Sequence, residues 1–406
     1  MRLASRIKLG AASLFGFSPN DVYILKSITH RGWIVRAFRP ASPIPVAPYV
    51  YAPIRPVAEA DIILSERLMA AFRHATSVPH AQTQLSPLWQ DNLSHKQSIL
   101  RSKLLADNPR DVAEFLATVL RSSAMYGIDS GDLYTGRNWR VHSLKLLDDL
   151  VSLAEQLDVT RTESGQATIG HAFQQDLVNL VGAIEEALGA PIGFPEVGGP
   201  YGLRVGNALL TSTTPEYVYV AWKIKQALLS SPQRSNAADF LEIGAGFGGT
   251  ALYLLRLLED QIRQYTIIDL PEMNCLQGYF LAQALGHDRI ALCHEPVSRH
   301  TLVQVLPTGA LEHHPSVDVI FNENSLPEIP PDVALGYIRW IASHVRGFFY
   351  SYNHESIVPG GEFAMCTVPD LVRSVGGLTR VSRNRSWVRP GYVEEIYVPL
   401  RSNSGT

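Results

Sequence analysis

The sequence predicts an α/β protein with a Rossmann-like, doubly wound sheet and a mostly helical N-terminal domain. Apolar runs of strand length alternate with helical segments between residues 239 and 351, which is typical of a parallel sheet with helices on both faces. A glycine-rich turn at residues 244–249 joins the first of these strands to the first helix. Before residue 190, apolar residues recur at helical spacing instead, and this predicts the helical domain.

The distribution of proline and glycine divides the chain into three predicted parts. Residues 1–58 contain many prolines and are interpreted as an irregular N-terminal arm. Residues 59–195 form the predicted helical domain, and residues 196–406 form the predicted Rossmann-like domain. The segment Ala190–Tyr201, with three prolines and three glycines, marks the boundary between these two domains.

The predicted elements follow from apolar periodicity and from helix start and stop signals. Helices of the N-terminal domain are predicted at residues 59–75, 107–123, 138–157 and 172–188. In the C-terminal domain, strands are predicted at 239–243, 265–269, 290–293, 317–321, 347–351, 378–383 and 393–400, and helices at 215–229, 249–259, 272–285 and 331–343. In the arm, a short basic helix is predicted within residues 1–17, and residues 22–25 and 33–38 are predicted to be extended.

The composition argues against several classes of function. The 406 residues carry a net charge of −3, so there is no bulk positive charge to hold a nucleic acid. The three cysteines are widely spaced, which predicts neither a disulfide framework nor a zinc site, and no other metal site is indicated. No run approaches the ~20 apolar residues of a transmembrane helix. We therefore expect a cytoplasmic protein without a transmembrane segment; its oligomeric state is not indicated.

The glycine-rich turn is the predicted cofactor site. Glycines permit positive φ angles, and the free N–H groups of the following helix favour a hydrogen-bond acceptor or an anion. Gly244, Gly246 and Gly249 fit the G-x-G-x-x-G pattern of dinucleotide-binding proteins. Glu242, Gly244, Gly246 and Gly248 also fit E-x-G-x-G-x-G, so the turn alone leaves two cofactor classes open.

A second acidic residue supports a nucleoside-containing cofactor. Asp269 ends the second predicted strand, 269 − 244 = 25 residues after Gly244, a spacing that accommodates one helix and one strand. A carboxylate at this place can accept hydrogen bonds from both hydroxyls of a ribose.

Four segments carry a resemblance to a known family. They are residues 241–249 (LEIGAGFGG), 265–272 (YTIIDLPE), 321–328 (FNENSLPE) and 349–353 (FYSYN). Together they resemble the bacterial sugar O-methyltransferases, which are class I S-adenosylmethionine-dependent methyltransferases, and the resemblance covers residues 195–400. It implies S-adenosylmethionine as the cofactor and a hydroxyl of a sugar or glycan as the methyl acceptor.

The resemblance, with the positions at strand ends, indicates the cofactor-binding residues. The candidates are Glu242, Gly244, Ala245, Gly246, Gly248, Asp269, Leu270, Glu295 and Asn322. The glycines are expected at the methionine moiety, Asp269 at the ribose and Glu295 near the adenine. Glu242 is expected to order the turn, and Asn322 to line the space between donor and acceptor.

Transfer of a methyl group to a hydroxyl needs a group that removes the hydroxyl proton. His354 is the first candidate for this base because it follows the fifth predicted strand, with Glu355 expected to orient it. Glu323 and Glu328 are alternative bases on the loop after the fourth strand. Other readings are an O-methyltransferase of small molecules or natural products, an NAD(P)-dependent oxidoreductase, and a methyltransferase scaffold without activity.

Overall fold

A computed structural model of the protein describes residues 24–25, 28, 48–77, 85–122, 124, 139–162, 176–231, 237–356 and 365–400. The strands are β1 (Val50–Tyr51), β2 (Tyr201–Val205), β3 (Ala208–Leu210), β4 (Ala238–Ile243), β5 (Ile262–Asp269), β6 (Ile290–Leu292), β7 (Val303–Pro307), β8 (Val317–Glu323), β9 (Val345–His354), β10 (Leu378–Arg385) and β11 (Tyr392–Pro399). The helices are α1 (Glu59–Ser77), α2 (Pro87–Asp91), α3 (Ser98–Leu105), α4 (Pro109–Leu116), α5 (Trp139–Gln156), α6 (Leu177–Leu188), α7 (Thr214–Ser230), α8 (Gly249–Leu258), α9 (Pro271–Leu285), α10 (Pro331–His344) and α11 (Val368–Val375).

The larger sheet has the strand order β10-β11-β9-β8-β4-β5-β7-β6 within the described residues. Strands β4 to β9 run parallel, and β11 is antiparallel to both β9 and β10. The chain order reverses at β4, which has β5 on one side and β8 on the other. Ligands of doubly wound sheets bind at such a switch point, beyond the carboxyl ends of the strands. The predicted Rossmann-like sheet and the helical N-terminal region are both confirmed.

One apolar core joins the helical half to the sheet. Leu68 and Phe72 of α1 belong to the same buried cluster as Phe280 of α9 and Tyr265 of β5. The helical half therefore packs on one face of the sheet. The division of the chain at residue 195 stays a prediction.

Several predicted elements differ from the structure. The second helix begins as predicted, with Asn108 as its cap and Pro109 in its first turn, but it ends at Leu116 and not at residue 123. A 3₁₀ turn follows, and the Leu120 N–H bonds to the Gly198 carbonyl, which stops the helix from continuing. The sequence patterns did not predict α2, α3, α11, strand β1, the hairpin β2–β3 or strand β7.

Only part of the predicted N-terminal arm lies within the described residues. Ile24 and Leu25 are helical, so the extended segment predicted at 22–25 is wrong there. The predictions for residues 1–17 and 33–38 lie outside the described residues. In the described ranges, every helix is too short or too polar to cross a bilayer. The same ranges contain no group of three His, Cys, Asp or Glu side chains placed to hold a metal ion.

Candidate functional site

The glycine-rich turn leaves β4 at the switch point of the sheet and leads into α8. Gly244, Gly246 and Gly248 have φ angles of +72°, +57° and +98°, which L-residues with a side chain rarely adopt. The Gly244 N–H donates to the Ile268 carbonyl of β5 at 2.9 Å. A Cβ atom on Gly244 would overlap the side chain of Ser325, so the backbone here passes directly against the loop after β8.

Asp269 ends β5 beside this turn. Its carboxylate accepts hydrogen bonds from the Leu270 N–H at 2.8 Å and from Gln277 Nε2 at 2.6 Å. Gln277 Nε2 also donates to the Gly246 carbonyl at 2.8 Å, which ties the carboxylate to the glycine turn. Burial raises the pKa of Asp269 to about 7, and the bonds from Leu270, Gln277 and the Ala245 backbone offset part of that rise. Asp269 and the turn are thus one connected unit.

The side chain of Glu242 bonds to the neighbouring strand, and its expected role in ordering the turn stays a prediction. Its side chain is fully buried and accepts a hydrogen bond from the Tyr265 hydroxyl of β5 at 2.6 Å. Burial raises the pKa of Glu242 to about 8. Glu242 therefore joins β4 to β5 below the cofactor site.

Replacing Glu242 with glutamine should stabilise the protein at pH 8 far more than at pH 5. The ordinary pKa of 4.5 applies when the chain is unfolded, so the wild-type protein loses stability as the pH rises from about 4.5 to about 8. Glutamine stays neutral and removes that loss. The free energy of unfolding of the variant should therefore exceed that of the wild type by more than about 1 kcal/mol at pH 8. Urea unfolding at both pH values measures the effect. Glu186→Gln, on the exposed side of α6, is the control; equal pH dependence in both variants would contradict the assignment.

Asn322 also has a different place from the one expected. It does not line an open space, because its side chain is completely buried. Its Nδ2 donates to the Ile243 carbonyl at 2.7 Å and also bonds to Ser325, and its Oδ1 accepts from Asn353 Nδ2 at 3.0 Å. Asn322 thus fastens the ends of β4, β8 and β9 to one another.

Glu323, the last residue of β8, reaches the start of α8. It accepts a hydrogen bond from the Thr250 hydroxyl in the first turn of that helix. Burial and the nearby Glu216 carboxylate raise the pKa of Glu323 well above its ordinary value. The raised pKa favours the protonated form of this carboxyl group.

Unpartnered polar atoms gather where β8 and β9 end. Glu323 Oε1, Asn324 Oδ1, Asn353 Oδ1 and His354 Nδ1 are buried and have no hydrogen-bond partner among the described residues. Buried polar atoms in folded proteins are nearly always bonded. Atoms of this kind at one edge of a sheet are therefore candidate contacts for a bound molecule or for ordered water.

His354 lies in this group, half-buried, with its ring edge-on to Tyr392 at a centroid distance of 5.6 Å. Burial and the positive charge of Arg389 lower the pKa of His354, so the imidazole is neutral at pH 7. The expected orienting contact from Glu355 is not made. Both carboxylate oxygens of Glu355 instead accept from Arg383, at 2.8 and 2.7 Å.

Arg389 is a site residue that the sequence analysis missed. It lies between β10 and β11, and its guanidinium bonds both carboxylate oxygens of Glu216 on α7 at 2.7 and 3.0 Å. The same group lies 4.0 Å from the ring centroid of Tyr392. No local signal marks this pair, because the two residues are 173 positions apart.

The helical half reaches the site through Trp89. Glu328 lies in a 3₁₀ turn after β8 and accepts a hydrogen bond from the Trp89 side chain. Burial raises the pKa of Glu328 to about 7, and that bond offsets part of the rise. Glu328 is therefore divided between its two protonation states near neutral pH.

Glu295 is displaced from the position expected beside the adenine. It follows β6, the edge strand, and β7 separates that strand from β5. Its two oxygens are taken by Arg67, at 2.7 and 2.8 Å. Asp269 of β5 pairs in register with Pro307, the last residue of β7. The residue just past the end of this neighbouring strand is therefore the buried Thr308, and not Glu295.

The chain matches no protein-family model and no curated protein sequence. Solved structures with some similarity include a mitomycin 7-O-methyltransferase, at 13% identity over 84% of this chain and 96% of that one, with a TM-score of 0.36. The magnesium protoporphyrin IX methyltransferase of Synechocystis PCC 6803, solved with S-adenosylmethionine, shows 11% identity over 46% and 81%, with a TM-score of 0.35. An O-methyltransferase family 2 protein of Planctomyces limnophilus, in complex with apigenin, shows 10% identity over 64% and 96%, with a TM-score of 0.32. Similarity this low carries no argument about the present chain, whose function is inferred from its own residues.

Proposed function

We propose that this protein is an S-adenosylmethionine-dependent O-methyltransferase that methylates a hydroxyl of a sugar or glycan. The observation that carries the proposal is the position of Glu323 at the start of α8. In dinucleotide-binding proteins, the pyrophosphate lies against the helix that follows the glycine turn. Here a buried carboxyl group bonds to Thr250 in the first turn of that helix.

The surroundings of Glu323 favour a cation over a pyrophosphate. Burial and the charges of Glu216 and Glu242 raise the pKa of Glu323, so further negative charge at this place is unfavourable. S-adenosylmethionine brings a positive sulfonium and an ammonium group. Such a ligand would be stabilised by the ionised form of Glu323, and this supports the methyl donor over NAD(P).

The other cofactor contacts follow from the geometry of the turn. The backbone of Gly246 and Gly248 would face the methionine moiety, since no side chain blocks its approach. Asp269 retains acceptor capacity beyond its bonds from Leu270, Gln277 and the Ala245 backbone, because a carboxylate has about four lone-pair sites. A ribose hydroxyl would fill the remaining site.

The acceptor side supports a ligand with many hydroxyl groups. The unpartnered atoms at the ends of β8 and β9 are hydrogen-bond acceptors in three of the four cases, and His354 in its neutral form accepts through one ring nitrogen. A sugar supplies several O–H donors at short spacing, whereas a flat aromatic acceptor supplies few. His354 would take the proton of the reacting hydroxyl as the methyl group moves from sulfur to oxygen.

Calorimetric titration with S-adenosylmethionine, S-adenosylhomocysteine and NADH tests the cofactor. We expect binding of the first two and none of NADH; the reverse result would refute the proposal. Asp269→Ala should weaken binding of S-adenosylhomocysteine by about 1.5–3 kcal/mol, which is the worth of hydrogen bonds to a charged group. Asp370→Ala, in the first turn of α11, is the control and should leave affinity unchanged.

Incubation of the protein with radiolabelled S-adenosylmethionine and a panel of sugars, nucleotide sugars and phenols tests the acceptor class. Label transferred to a carbohydrate hydroxyl would support the proposal. Transfer to phenols alone would replace it by the small-molecule alternative.

A further inference from the structure

A described part of the polypeptide between α1 and α4 crosses the carboxyl edge of the sheet with buried amide side chains. In this crossing segment, Ser86–Leu100, helix α2 continues into a π-helical turn, Asn92–Lys96, and then into α3. Turns of this kind are rare in proteins. Those that occur often lie at functional sites. Near one end, the Trp89 side chain bonds Glu328. Near the other, Gln97 Nε2 donates to the sulfur of Met273 at 3.0 Å.

The buried amides lack partners. Asn92 and Gln97 are each only 1% exposed, yet both amide atoms of Asn92 and Oε1 of Gln97 have no hydrogen-bond partner in the described part of the chain. Oδ1 of Asn274, next to Met273 on α9, is buried and unpartnered as well. Leaving such groups unbonded costs free energy, so a bound molecule that satisfies them is favoured.

Asn274 is connected to the ribose site of the proposed cofactor, and Gln97 bonds to its chain neighbour Met273. Asn274 Nδ2 donates to Gln277 Oε1 at 3.0 Å, and Gln277 in turn donates to Asp269 at 2.6 Å. A chain of hydrogen bonds therefore runs from the carboxylate expected at the ribose to the unpartnered oxygen of Asn274. The next group of the nucleoside beyond the ribose is the base.

We propose that Asn92 and Gln97, from the helical half, bind the adenine edge of the cofactor together with Asn274. The inference rests on the proposed function. Adenine presents an amino group that donates and ring nitrogens that accept, and an amide pairs with such an edge through two hydrogen bonds. Gln97 and Asn274 offer acceptor oxygens for the amino group, and Asn92 offers one donor and one acceptor.

The variant Asn92→Leu tests this assignment. Leucine has nearly the same shape and no polar atoms, so we expect the affinity for S-adenosylhomocysteine to fall about tenfold or more. The melting temperature of the ligand-free variant should stay equal or rise, because an unbonded buried amide is removed. Ser94→Ala, on the exposed side of the same π-helical turn, should change neither quantity. Unchanged affinity in Asn92→Leu, or a lower melting temperature that signals a purely structural amide, would overturn the assignment.

A measurement on the unsubstituted protein makes the test independent of folding. S-inosylhomocysteine carries a carbonyl oxygen where adenine has its amino group. We expect it to bind about tenfold or more weakly than S-adenosylhomocysteine, and equal affinities would overturn the inference. Failure of both compounds to bind would instead refute the proposed function, and the adenine assignment with it.

Discussion

Replacing His354 with asparagine should lower the turnover number by roughly 10²–10⁴-fold, the usual contribution of a general base. The affinity for S-adenosylhomocysteine should stay nearly unchanged, because His354 lies at the end of β9 and not at the glycine turn. Initial rates with the best acceptor, together with calorimetric affinities, measure the two effects separately. A variant that keeps wild-type turnover would show that another group takes the proton.

The protonation states of the three candidate bases favour His354. Burial and the nearby Glu216 carboxylate raise the pKa of Glu323 well above its ordinary value, which favours its protonated form over a free base. Glu328 is bonded to Trp89 and has a pKa of about 7. Burial and Arg389 lower the pKa of His354, so the imidazole is ready to accept a proton at pH 7.

The pH dependence of the rate distinguishes the two remaining bases. If His354 is the base, activity should rise with pH and reach its plateau through a midpoint below 6.5, because its folded pKa lies below that ordinary value. If Glu328 is the base, the midpoint should lie near 7. Glu355→Gln is the matched control. It should leave both the rate and the midpoint unchanged, since Glu355 pairs with Arg383 and does not contact His354 through a hydrogen bond.

The sheet was predictable because its signals are local. The run from Phe240 to Thr250 contains a buried strand, glycines for a left-handed turn and a helix start within a single stretch of chain. The position of Asp269 was equally predictable, because it ends the next apolar run and parallel strands end at the same edge of a sheet. The resulting expectation that Asp269 lies beside the turn agrees with its link to Gly246 through Gln277.

The other site residues depend on pairings that no local pattern encodes. Strand β7 is a five-residue run ending at Pro307, and without it Glu295 seemed to follow the strand next to β5. Arg389 joins the site only because β11 inserts between β9 and β10. The buried amides of the crossing segment could not be predicted from the sequence either. Because Asn92 and Gln97 are polar, a search for apolar stripes assigns them to the surface.

Gly244→Ala should abolish measurable binding of S-adenosylhomocysteine and destabilise the protein. The φ angle of +72° costs an L-residue about 1–2 kcal/mol, and the new methyl group would overlap the side chain of Ser325. Ser325 cannot move aside freely, because its hydroxyl bonds to Asn322 and lies 3.3 Å from the Ile243 carbonyl. The turn itself must therefore shift, and with it the backbone that would face the cofactor.

Gly182→Ala separates this effect from the general consequence of adding a methyl group. Gly182 lies within α6, and a Cβ atom there would have no neighbour within 4 Å. Alanine is the better helix former by about 0.5–1 kcal/mol, so this variant should unfold at higher urea concentration and bind cofactor as the wild type does. Gly244→Ala should instead unfold at lower urea concentration and lose cofactor binding. Wild-type affinity in Gly244→Ala would mean that the cofactor does not lie against this turn, and the assignment of the glycines would fail even if the protein methylates its acceptor.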